Sequence, residues 1–465
     1  MKTLTILFLF SIIFSNSYSQ LPNQNTYLLR NLDLYSSYSA CWGYTAPDGR
    51  EYAILGTQVG TSFVDITDSA NIHEVDSVRG LNSGWREMKT YSHYAYVVTE
   101  ASSTSNPSNN GLQIIDLQYL PDSVKLVKTW NYAGYTKTHS ISQSGHYLYL
   151  NGGNSATNGG VTVVDIADPI NPVKMGQWST LYVHDCRILN DTIWASNIYT
   201  GQISIINATN KNSLQFVRTW RSFPTSEVST HNSDFTIDRK YTLTTNEISS
   251  PNGKLNVWNI QDLNNIVFVT EWQPTGITTA IVHNVEIYGN YAVIAHYRAG
   301  IRIVDITNPE NPVEVAWYDT YPSSNSASYS GCWGVYKFPS GKIIGSDISS
   351  GLFVIKTTIS LSGISNSNFN VPNSFRLEQN YPNPFNPTTN IKFSIKENSN
   401  VKLNIYDLQG KEVANVLNDR RDGGSYEINF DANKFSLSSG SYFYNMEVEN
   451  SSNKYSETKK MLLIK

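Results

Sequence analysis

The chain has 465 residues, with 34 Lys+Arg against 38 Asp+Glu and 15% charged residues overall. That near balance excludes the basic footprint of a nucleic-acid binder. The 30 tyrosines of a chain so sparing in charge suit β-structure with wet aromatic surfaces, and the length allows two or three domains.

At the start, Lys2 precedes an apolar run over residues 4–14, and Ser17-Tyr18-Ser19 supplies a small-x-small cleavage site before Gln20. The pattern predicts a secretory signal peptide over residues 1–19, too short to span a membrane. No cysteine stands directly after the cleavage site and no later apolar run reaches spanning length, so the expected mature protein leaves the cytoplasm without a transmembrane segment.

Beyond it the chain writes one strand again and again: a glycine, alternating apolar residues, then a carboxylate or its stand-in. Gly60-Thr61-Ser62-Phe63-Val64-Asp65 is followed by copies ending at Asp116, Asp165, Asn207, Asn259, Asp305 and Lys356, spaced 51, 49, 42, 52, 46 and 51 residues apart. A period of about 40–50 residues built on β-branched runs marks a propeller or similar array, because one such strand cannot bury its apolar face alone. The unit around Asp305 is the clearest. Residues 282–287, 291–295, 301–306 and 313–318 read as four short antiparallel strands, with Gly289-Asn290 and Asn308-Pro309-Glu310-Asn311-Pro312 as turns. The closing aspartates read as braces of their turns. The last unit stops after Ile355 without a fourth strand, and residues 27–34 form a strand with no partner of their own. The economical solution is a seven-bladed all-β propeller closed by the N-terminal strand, which removes both open edges. The expected divisions are the signal peptide 1–19, the propeller 20–356, a Ser/Asn-rich linker 357–374 and a small Ig-like β-sandwich 375–465.

That last segment opens Asn380-Tyr381-Pro382-Asn383-Pro384-Phe385-Asn386-Pro387-Thr388-Thr389. It continues through Ile405-Tyr406-Asp407-Leu408-Gln409-Gly410 and Ser439-Gly440-Ser441-Tyr442-Phe443-Tyr444, and closes on Lys459-Lys460-Met461-Leu462-Leu463-Ile464-Lys465. It resembles the C-terminal (Por) sorting domain of type IX secretion substrates. The resemblance implies recognition by the type IX machinery through residues 375–465 and delivery to the cell surface or beyond, often with removal of this domain. The Gly-x-x-Val-Val-Asp-Ile strand and its Asx-Pro turn resemble the LVIVD repeat. The order of Cys41-Trp42-Gly43, Gly111-Leu112-Gln113-Ile114-Ile115-Asp116-Leu117, His184-Asp185, His231-Asn232 and Trp333-Gly334 resembles the choice-of-anchor B surface proteins. That family brings no activity to particular residues.

Candidate chemistry follows from the repeat register. His139, His184, His231 and His283 open the first strands of units three to six, and Trp42, Arg86 and Trp333 hold that place elsewhere. The second strands end at Gly56, Glu100, Asn151, Asn197, Glu247, His296 and Asp347. In a propeller both series reach one mouth of the central channel, where a rigid ring holds loop ends together. The expected binding set is Arg86, Glu100, His139, His184, Asp185, His231, Glu247, His283, His296 and Asp347. It could hold a divalent metal, with His184, His231 and His283 as ligands. It could bind an anionic glycan or a protein, or act as acid and base on an extracellular polysaccharide as a lyase or hydrolase. A repeated histidine can equally tie one unit to its neighbour. Trp42, Trp85 and Trp333, where exposed, could stack on sugar rings. No phosphate-cradling glycine loop, Cys-x-x-Cys pair or Gly-x-Ser-x-Gly elbow is present, so the balance leans away from an enzyme. Of the three cysteines, Cys41 and Cys332 occupy equivalent repeat positions; a bridge between first and last units and a pair of buried free thiols are both open.

Overall fold

A computed structural model describes residues 23–153, 158–223, 229–248, 253–359, 361, 375–396, 399–421, 424–435, 437–450 and 454–464. The expected signal peptide and most of the linker lie outside these residues. Among the described residues there is no α-helix, and none long and apolar enough to cross a membrane.

The described residues between 23 and 359 form seven antiparallel sheets, six of them four-stranded and one carrying a fifth, two-residue strand. The sixth shows the pattern: Val285–Tyr288, Tyr291–Ala295, Ile301–Asp305 and Val313–Tyr318 pair in chain order. Its first strand starts three residues later than the sequence suggests, because His283 and Asn284 leave the ladder where the chain enters the sheet. Apolar clusters lie between consecutive sheets. One joins Phe63 of sheet one to Met88 of sheet two, the next Tyr96 of sheet two to Ile141 of sheet three, and so on round. The last joins Val354 of sheet seven to Leu55 of sheet one. Burying side chains of this kind is worth about 1.5–3 kcal/mol each, so every sheet is held by both neighbours. The fold is β-propeller-like, with its first strands facing one another at the centre.

Closure is built as the missing fourth strand demanded. Thr26–Leu32 pairs antiparallel with Gly351–Thr357, and Asn23–Gln24 reaches one sheet further to pair with Val313–Tyr318, an addition the sequence did not suggest. Glu51 of sheet one also accepts hydrogen bonds from Ser340 N (3.0 Å), Ser340 Oγ (2.6 Å) and Lys342 Nζ (3.3 Å) of sheet seven.

The repeated glycine has a steric cause. A Cβ on Gly60, Gly160 or Gly300 would lie 2.2, 1.9 or 2.3 Å from the carbonyl oxygen of Val78, Trp178 or Tyr318 at the end of the fourth strand. At Gly351 the clashing carbonyl belongs to Leu32, 2.2 Å away, so the N-terminal strand fills the seat that a fourth strand fills elsewhere. The repeated carboxylate braces its turn: Asp65, Asp165 and Asp305 Oδ1 accept the backbone N–H two residues on, each at 2.8 Å.

Residues 375–464 form a separate two-sheet β-domain around one apolar core that includes Phe385, Phe393, Leu403, Phe430 and Tyr444. Asn380 Nδ2 donates to Pro382 O (3.1 Å) and Thr389 Oγ1 (3.0 Å), while the Tyr444 hydroxyl donates to Glu378 O (2.7 Å). The proline-asparagine opening is thereby pinned to the core. Glu412–Arg421, too charged to stand out as a strand, is one.

Candidate functional site: the mouth of the central channel

Three of the four repeat histidines are fixed by their own backbone. The N–H groups of His139, His184 and His283 donate to Asn151 O (2.9 Å), Ser196 O (2.8 Å) and Ala295 O (3.0 Å), the carbonyls at the end of the second strand in each sheet. The side chains of all four converge. Ring centroids are 4.0 Å apart for His139 and His184, 4.3 Å for His184 and His231, and 4.1 Å for His231 and His283. Trp333 continues the arc at 5.0 Å from His283, and Trp85 follows at 6.0 Å.

Carboxylates serve the arc at both ends. His139 Nδ1 hydrogen-bonds Glu100 Oε1 at 2.7 Å. Burial pushes the Glu100 carboxyl up, but His139 outweighs it and holds the pKa below the usual value. Glu247 lies between two imidazoles, 3.7 Å from His231 Nε2 and 3.7 Å from His283 Nε2, and accepts a 2.5 Å hydrogen bond from the Tyr297 hydroxyl. Burial pushes the Glu247 carboxyl up to about 7. His184 and His231 are pushed well down, first by burial and then by neighbouring imidazoles, and His283 falls to about 3 for the same reasons. These rings are neutral at pH 7. His283 Nδ1 donates to Trp333 O at 2.5 Å, leaving its Nε2 as a free acceptor. One ligand atom from each of His184, His231 and Glu247 lies within 4.8 Å of the others.

A second tier lies beneath, where Arg187, Asp234 and Glu286 stand three positions beyond His184, His231 and His283. Arg187 donates to Glu286 and, through Nε, to Ser233 O (2.8 Å); Lys89 Nζ lies 3.2 Å from Glu87 and 3.8 Å from the centroid of Trp42. Asp185 spans the tiers, accepting from Cys186 N (2.7 Å), Ser142 Oγ (3.2 Å) and Asn232 Nδ2 (2.5 Å). Asp234 accepts from Ile287 N at 2.7 Å. Sequence reasoning missed Glu87, Lys89, Arg187, Asp234 and Glu286, although polar residues at alternate first-strand positions carried the signal.

The upper tier borders a cavity of about 20 Å³ lined by Trp85, His139, His184, His231, His283 and Trp333. It admits a water or an ion, not a sugar ring. Around it stand exposed aromatics. Trp85 is 46% exposed, Tyr199 72% and Tyr329 54%, and each reaches a channel imidazole through one intervening ring. Trp85 does so through Trp333, Tyr199 through Tyr182 and Tyr329 through Tyr297.

Several expected members play other parts. Arg86 borders the same space, but it is buried with Nη2 on Leu81 O (2.6 Å) and Nε on Thr57 O (3.3 Å), so its guanidinium braces backbone. Asp347 is a turn brace, bound by Thr320 Oγ1 (2.8 Å), Ser349 N (3.0 Å) and Ser350 N (3.1 Å). His296 is buried against Trp272, with neither ring nitrogen hydrogen-bonded. Trp42 packs edge-on against Tyr336, below the mouth. Cys41 and Cys332 are not bridged; with Cys186 they are buried free thiols, packed into different apolar clusters.

Residues 379–464 match the secretion system C-terminal sorting domain, and residues 134–180 and 281–320 match the LVIVD repeat. The chain therefore carries the type IX export signal. It is secreted to the cell surface or the extracellular space, and its tail engages the type IX machinery. No curated protein matches the chain. Similar solved structures include a putative 6-phosphogluconolactonase from Bacteroides fragilis (12% identity, 67% of this chain and 88% of that one, TM-score 0.47). Another is from Bacteroides uniformis (12%, 70% and 94%, 0.49), and a third is the periplasmic gluconolactonase of Pseudomonas aeruginosa (14%, 64% and 89%, 0.47). Likeness at this level carries no argument about activity.

Proposed function

We propose that this chain is a seven-bladed β-propeller that works as a carbohydrate-binding module at the cell surface or in the medium. The reading comprises a signal peptide over residues 1–19, the propeller over 20–356, a linker over 357–374 and an Ig-like sandwich over 375–465 that directs export. It includes the finer resemblance to choice-of-anchor B surface proteins. The observation that carries the binding role is the ring of exposed aromatics, Trp85, Tyr199 and Tyr329, around one mouth of the channel. Rigid aromatic faces beside the half-buried Glu100 suit a sugar's apolar face and its hydroxyls. A lyase or hydrolase is the weaker reading, because His231, His283 and Tyr297 are at most 4% exposed and a general acid or base must touch its substrate.

The test is binding of the purified full chain to a broad panel of neutral and uronic oligosaccharides, with and without a chelator. Trp85→Ala and Tyr329→Ala are each expected to weaken the best binder by about tenfold. Silence across the panel, or binding untouched by both substitutions, overturns the reading.

A further inference from the structure

The imidazole tier has more than a mouth to line. His184 Nδ1 and His231 Nδ1 are buried without a hydrogen-bond partner, in residues 9% and 4% exposed. Buried polar atoms left unpaired cost about 1–3 kcal/mol each, so their persistence calls for an occupant or a use. The arrangement is directional. His283 gives its Nδ1–H to the Trp333 carbonyl. Glu247 completes the group and is itself oriented by the Tyr297 hydroxyl. Tyr297 holds a φ of +32°, a backbone region that L side chains rarely enter.

We infer that His184, His231 and Glu247 form a three-ligand site for one divalent transition-metal ion of the zinc class at the channel mouth. Two imidazoles and one carboxylate match that ion's ligand preference, and His184 and His231 border the space at the mouth. The sequence pointed to His283 as the third ligand; the geometry gives that place to Glu247 and makes His283 a neighbour that positions it, 3.7 Å away. The site is small enough to exclude a sugar and lies beneath the aromatic rim, so it stands whether or not the rim binds carbohydrate.

The experiment strips the purified full chain with a chelator and titrates it with Zn²⁺ against a chromophoric competitor, then with Co²⁺ while recording its visible absorption. One ion per chain is expected, with the Co²⁺ spectrum of a four- or five-coordinate site. Glu247→Gln and His231→Ala should each weaken Zn²⁺ binding by roughly 100-fold or more, and Tyr297→Phe by about tenfold, while the exposed His73→Ala leaves it unchanged. Uptake of less than one ion per chain by the unaltered protein overturns the proposal, and that measurement does not depend on any variant folding. So does binding that survives Glu247→Gln and falls with His73→Ala. Oligosaccharide binding that persists in chelator, with no metal uptake, sinks this proposal alone and leaves the rim reading standing.

Discussion

The two tiers of the channel use similar polar residues to opposite ends. In the lower tier, charges are matched: Arg187 meets Glu286, Lys89 meets Glu87, and Asp234 and Asp185 accept backbone N–H groups. In the upper tier two buried imidazole nitrogens have no partner, while burial raises a carboxyl in each tier to about 7, Glu247 above and Glu87 below. A satisfied network fixes geometry, whereas an unsatisfied one keeps capacity for a ligand. The lower tier therefore reads as scaffold and the upper tier as the working surface.

Breaking the scaffold tier should have the largest effect. Arg187→Met strands Glu286 in the channel and is expected to lower stability by about 3–5 kcal/mol, measured by chemical denaturation. A change near zero would remove the distinction between the tiers. Next comes the seat of the closing strand. Gly351→Ala drives a Cβ toward Leu32 O at φ +84°, and an expected loss of about 2–3 kcal/mol should show as a lower melting temperature.

His296 sharpens the comparison as a buried imidazole whose two ring nitrogens have no hydrogen-bond partner. Burial first, and Arg302 second, lower its pKa to about 3. The unfolded chain binds this proton below about pH 6.5 while the folded chain does not. The stability it contributes is therefore present above pH 6.5 and lost as pH falls toward 3. His296→Leu should recover about 2 kcal/mol of the stability lost between pH 6.5 and pH 5, read from melting curves at the two pH values. The smallest effect belongs to the working tier: Glu247→Gln replaces a half-neutral buried carboxyl with a neutral amide and should shift stability by less than about 1 kcal/mol in chelator. A loss as large as that of Arg187→Met would make Glu247 scaffold.

Much of this was legible in the residues. The seven copies of the glycine-to-carboxylate strand showed because two hard constraints recur: a carbonyl that leaves no room for a Cβ and a turn that needs an acceptor. The orphan strand at residues 27–34 and the missing fourth strand of the last unit predicted each other, and Thr26–Leu32 pairs where they required. The imidazoles were visible because His139, His184, His231 and His283 share one phase of the repeat. What failed was parity. Strand ends are uncertain by a residue, and one residue reverses the face. Glu100 and Glu247 reached the histidines, while Asp347 turned to its own loop and His296 to Trp272. Tyr297 escaped notice because it lies two residues past the strand end, in a backbone conformation that sequence pattern does not announce.

The most direct measurement is anomalous diffraction at the zinc edge from crystals of the full chain grown with Zn²⁺. One strong peak among His184, His231 and Glu247 is the predicted result. Peaks confined to surface histidines such as His73, His93 and His146, or to the Arg187–Glu286 tier, would contradict the account.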